Sequence, residues 1–162
     1  MTITIDDIEK SLDYFETRQF SDKTEEEFIS RYPSILKYLT SNQFNALSKD
    51  EYLILMFSSI IVLKTMADKY GIDNSPGEDL LEALETFNWQ VVEETPARSF
   101  SQLVMSIMGE KENDLAQFII SSLEDDEEDT NEISLPAKKI IFVTLKTIFD
   151  ALQHSLKDEH KH

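Results

Sequence analysis

Apolar residues recur along this chain at three- and four-residue steps, the spacing that lines one face of an α-helix. Ile5, Ile8, Leu12 and Phe15 make the first such stripe. Thr4 is placed to cap it, and Asp6 and Asp7 fall in the first turn, where the helix dipole favours negative charge. A second helix is predicted from Thr24, because Glu27 stands three residues on in the pattern of a capping box. Pro33 has no N–H and must end or kink that helix, and Ile35, Leu36 and Leu39 continue as a short helical piece.

The clearest pattern opens at Ser48, where Glu51 completes another capping box, and closes at Gly71, a residue suited to the left-handed turn after a helix. Asp50 and Glu51 lie at its positive end, with Lys64 and Lys69 towards its negative end. Residues 52–63 are apolar on nearly every side, which predicts the central, buried helix of a bundle. This stretch of about 12 residues falls well short of the roughly 20 needed to cross a bilayer.

Ser75, Pro76 and Glu78 predict a cap, a first-turn proline and a capping box for the next helix. Its inner stripe reads Leu80, Leu84, Phe87 and Val91, and it stops before Pro96. Ser99 with Gln102 opens a segment carrying Phe100, Leu103, Val104, Ile107 and Met108, which Gly109 breaks. Asn113 or Asp114 restarts a helix through Leu115, Phe118, Ile119 and Leu123. Ser134 caps the last one, with Pro136 in its first turn and Ile141, Leu145, Ile148 and Leu152 facing inward, widened by Ile140, Phe142 and Phe149. The short runs YLILMF and IIFVTL cannot be typed by periodicity alone, but their long, charged, glycine-free flanks decide for helix. The expected fold is therefore all-α: a compact, non-repeat bundle of six or seven helices with short connections. Residues 1–157 are expected to form one domain and 158–162 a disordered tail.

Composition sharpens this picture. A chain of 162 residues suits one domain with a proper core, and only three Gly and four Pro leave its elements uninterrupted. The absence of cysteine excludes disulfides, thiolate metal sites and cysteine nucleophiles, and fits the cytoplasm. The opening MTITIDDIEK carries acids where a signal peptide would carry positive charge. A net charge of −17, from 32 acids against 15 bases, repels nucleic-acid phosphate and anionic membrane and attracts basic surfaces. Neither nucleic acid nor membrane is an expected partner.

Candidate chemistry is sparse. His154, His160 and His162 crowd one end of the chain, and no Glu-x-x-His occurs, so neither a di-iron set nor a Ser-His-Asp site can be assembled. His154 has Asp150 and Asp158 four residues to either side, which reads as surface charge pairing rather than a metal clip. Gly71, Gly77 and Gly109 are isolated, which excludes a P-loop and a dinucleotide fingerprint. The acidic run 124–132 is read as a solvated loop and does not scan as a calcium-binding EF-hand. Counted from Asp125, positions six and twelve are Thr130 and Pro136; counted from Asp126, they are Asn131 and Ala137. Glu85 and Glu94, flanking Trp89, are the carboxylates set among apolar neighbours. No catalytic residue, metal or cofactor is expected.

What remains is a non-catalytic acidic module that docks on a basic partner, as an inhibitor, antidote, adaptor or regulatory subunit. Glu124, Asp125, Asp126, Glu127, Glu128 and Asp129 would supply the electrostatic attraction. Phe100, Leu103, Met105 and Met108 would offer an apolar patch if exposed, although ordinary core packing is the favoured reading for them. The alternative is a helical-bundle enzyme or small-ligand-binding protein with a carboxylate- and aromatic-lined pocket. The stretch 52–63 is also compatible with burial by a second copy, so a homodimer stays open.

Overall fold

The computed structural model describes residues 2–17, 22–124 and 133–159, and among these eight α-helices form and no strand does. They are α1 (Ile5–Thr17), α2 (Asp22–Ile29), α3 (Pro33–Leu39), α4 (Lys49–Tyr70), α5 (Glu78–Glu94), α6 (Phe100–Val104), α7 (Asn113–Leu123) and α8 (Leu135–Glu159). A 3₁₀ turn spans Asn42–Phe44, and α6 runs on into a π-helical stretch, Met105–Gly109. The count exceeds six or seven because Pro33 does not kink one helix but opens a separate one, where its missing N–H costs nothing.

Several ends form as the caps dictate. The Asp7 N–H donates to Thr4 Oγ1 at 3.2 Å while the Thr4 N–H donates to Asp7 Oδ2 at 2.9 Å. At α4 the Glu51 N–H donates to Ser48 Oγ at 3.1 Å and the Ser48 N–H donates back to Glu51 Oε1 at 2.8 Å. Gly71 then takes the left-handed conformation at φ 68°, which a side chain would disfavour. Ser99 and Ser134 cap α6 and α8 by accepting from the N–H groups of Gln102 and Ala137, both at 3.2 Å.

Two predicted caps differ. α2 begins at Asp22, so Thr24 lies inside the helix and does not cap it. α5 begins at Glu78 after Gly77, and Ser75 is occupied elsewhere: it accepts from the Ser34 N–H at 3.2 Å and its hydroxyl meets that of Ser34. The side chain thus ties the loop to α3 instead of capping α5.

α8 packs along both α5 and α4, and α1 lies on α4, so α4 and α8 form the middle of the bundle. Ile141, Leu145, Ile148 and Leu152 face inward on α8 at 1% exposure or less. On α4 burial becomes continuous from Ser58 to Leu63, whereas Leu53 is 56% exposed, so the apolar stretch 52–63 is not buried all round. Ile5 also points outward; the inner face of α1 is completed by Ser11, whose hydroxyl bonds that of Thr65 at 2.9 Å. Phe100, Leu103 and Met108 are buried and Met105 half-buried, so this quartet is core and not a docking patch.

Candidate functional site

The largest departure from the apolar pattern lies on α5. Leu81, Asn88 and Val92 turn inward, with 2, 1 and 6% exposure. The predicted inner stripe is displaced by one residue, about 100° around the helix. Leu80, Leu84 and Val91 are only half-buried, and Phe87 is 57% exposed. The cause is polar. The Asn88 amide donates to Thr147 Oγ1 at 3.1 Å and to Asp150 Oδ2 at 3.2 Å, and its oxygen accepts from Lys146 Nζ at 3.3 Å. On the flank towards α3, Glu85 accepts from the Tyr38 hydroxyl at 2.7 Å. A buried amide that finds all these partners on α8 fixes the rotation of α5, because leaving it unpaired would cost about 1–3 kcal/mol. Phe87 is left on the outside, and Leu80, Leu84 and Val91 at the half-buried margin.

The surroundings of that stripe are strongly acidic. α5 carries Glu78, Asp79, Glu82, Glu85, Glu93 and Glu94 and no lysine or arginine. Phe87 thus stands exposed on a helix of one charge sign, with half-buried Leu80, Leu84 and Val91 in line with it at i, i+4 and i+11.

Among the concavities of the described residues, two gather several polar side chains. The first, about 360 Å³, lies between α3 and α5 and includes Tyr38, Glu78, Glu82 and Glu85. Several of its polar groups are paired within the protein. Burial, reinforced by the neighbouring Glu85 carboxylate, pushes the Tyr38 hydroxyl well above the usual tyrosine range. Gln43, with its amide nitrogen turned to Glu85, donates to both carboxylate oxygens at 3.1 and 3.2 Å, and Lys37 pairs with Glu78 at 2.9 Å. The second, about 630 Å³, is bounded by the N-terminal segment, the π-helical stretch, the turn 110–112 that precedes α7, and α8. It includes Glu112, which is 6% exposed and accepts from the Ile3 N–H at 3.0 Å. Burial raises the Glu112 carboxyl above the ordinary glutamate value.

Of the residues expected to attract a partner, Glu124 is exposed just after α7. Asp125, Asp126, Glu127, Glu128 and Asp129 lie outside the described residues. His154 is exposed on α8, while Asp150 is drawn away from it into an ion pair with Lys146 at 2.8 Å. The Asp158 side chain, His160 and His162 lie outside the described residues. Glu94 is exposed and accepts from Gln90 at 3.2 Å. Among the described residues no three His, Asp or Glu side chains gather as metal ligands would, and no helix is long and apolar enough to cross a membrane. No described protein family, curated protein or solved structure matches the chain.

Proposed function

We propose that this protein is a non-catalytic interaction module of the cytoplasm that docks on a basic partner through the outer face of α5. The observation that carries the reading is Phe87, 57% exposed and continued along the helix by half-buried Leu80, Leu84 and Val91, on a helix with six acids and no base. The fitting occupant is an amphipathic segment of a partner protein, apolar along its centre and lined by Lys and Arg. Phe87 is the natural anchor, because a large exposed aromatic ring gains most from desolvation at an interface. A second copy of this chain fits poorly: two-fold packing would lay the acids of α5 against the same acids, between molecules that each carry −17. Glu124 and Asp125 to Asp129 add long-range attraction, which speeds association more than it deepens affinity.

The test is photo-crosslinking in the native host with p-benzoylphenylalanine in place of Phe87, and with the same residue at exposed Glu9 on α1 as the control. The expected product is one partner joined at position 87 only, with the cross-linked peptide carrying apolar residues flanked by Lys or Arg. Cross-links to another copy of this chain, to an acidic peptide, or equally from position 9 would overturn the reading.

A further inference from the structure

α5 carries two apolar faces, and one of them at a time can point fully inward. The inner face holds Leu81 and Val92 with the Asn88 amide between them. The other, about 100° round the helix, holds Leu80, Leu84, Phe87 and Val91. Rolling the helix by one residue would complete the burial of those four side chains and give up that of Leu81 and Val92. The two apolar terms offset each other, so polar contacts decide between the two orientations.

Two ties hold the observed one. Asn88 bonds to Thr147, Asp150 and Lys146 of α8, and Glu85 accepts from the Tyr38 hydroxyl of α3. The first is the stronger constraint. A rolled Glu85 turns outward and is hydrated at once, whereas Asn88, 1% exposed, gives up partners that water does not replace in the core. Lys146 and Asp150 keep each other at 2.8 Å whether or not Asn88 is present, and both line the cavity of about 630 Å³. The latch is therefore reachable from solvent through its α8 half.

The remaining side chains of α5 permit the roll. With each residue advancing about 100°, it carries Glu78, Glu82, Glu85 and Trp89 outward and brings Ala83 towards the core side. Among the acids only Glu94, the last residue of the helix, approaches that side.

We propose that α5 is a bistable helix, latched by Asn88 with Phe87 outward and rolling by about one residue to bury Phe87 when the latch opens. The regulatory consequence rests on the docking role of α5, since the rolled helix withholds the aromatic anchor from a partner. The roll itself needs no partner.

Two reporters on α5 test it. Trp89, the single tryptophan, packs half-buried against the core, and Ala83 is exposed. Rolling moves Trp89 into solvent and residue 83 out of it. The chain has no cysteine, so Ala83→Cys supplies one reactive thiol in the full-length protein. On that background Asn88→Leu opens the latch, and Asn88→Ala does so without added bulk. The expected result in at least one variant is a shift of Trp89 emission to longer wavelength with greater quenching by acrylamide. The thiol should at the same time react about tenfold more slowly with a maleimide, as when the outward state falls to about a tenth of the molecules, with helical circular dichroism retained. Unchanged emission in both variants, a shifted emission with the thiol still fast, or loss of helix in both would overturn the roll. None of these outcomes touches the docking role of α5, which cross-linking at position 87 tests separately.

Discussion

Glu112 and Asp7 place opposite pH dependences at the two ends of the same N-terminal contact. Burial raises Glu112 above its ordinary value of 4.5, against the lowering influence of the Ile3 amide and Lys69 and with Asp114 adding to the rise. The folded state therefore holds the Glu112 proton more tightly than the unfolded chain does. That contribution to stability is complete below pH 4.5 and is lost as pH rises through the folded value. The Lys69 hydrogen bond holds Asp7 below its ordinary 3.8, so its contribution is present above that pH and is lost only in stronger acid. Lys69 also donates to the Thr2 carbonyl at 2.8 Å, and Asp114 accepts from the Ile5 N–H at 2.8 Å, which completes the strap. Replacing Glu112 by Gln should abolish the part of the stability loss that wild type shows between about pH 4.5 and neutrality. Urea midpoints at about pH 5 and about pH 7.5 check it, with exposed Glu110→Gln as the control. A Glu112→Gln profile parallel to wild type would remove the burial argument.

At the scale of the element, α5 separates two kinds of apolar residue that its sequence does not distinguish. Leu81 is 2% exposed and its truncation to Ala should cost about 2–5 kcal/mol, the range for a buried leucine that leaves a cavity. Phe87→Ser should change stability by less than about 0.5 kcal/mol, as expected for a surface site. Denaturant unfolding of the two variants decides which face is inside, and a large loss at Phe87 would place the stripe in the core after all. The all-α class, the Ser48 capping box, the Gly71 terminus and the α8 face Ile141, Leu145, Ile148 and Leu152 were legible in the chain, since each rests on local chemistry. The rotation of α5 was not. Periodicity weighs Leu80, Leu84, Phe87 and Val91 against Leu81 and Val92 by hydrophobicity and favours the first set. The outcome turns on Asn88, whose partners Thr147, Lys146 and Asp150 lie 58 to 62 residues away. The misread cap at Ser75 has the same origin, a partner on α3 that no local pattern announces. Lys146 and Asp150 stand four residues apart, a spacing that marks them as a pair in the sequence, but nothing there indicates that Glu112 would face the same cavity.

Across the whole molecule the charge is lopsided in a way that matters for association rather than for fold. With −17 overall, exposed acids act at a distance of about 8–10 Å in ordinary salt, enough to guide a basic partner but too little to hold it. On the proposed docking role, affinity comes from desolvated apolar contact, for which α5 offers exposed Phe87 with half-buried Leu80, Leu84 and Val91 beside its acids. The core of α4 and α8 supplies the rigid base on which that face is held. The most direct measurement is the affinity of Phe87→Ser for the partner cross-linked at position 87, recorded beside its thermal midpoint. The expected result is a Kd about tenfold or more above wild type, as for the loss of an aromatic anchor, with an unchanged midpoint. An unchanged Kd would contradict the docking role of α5.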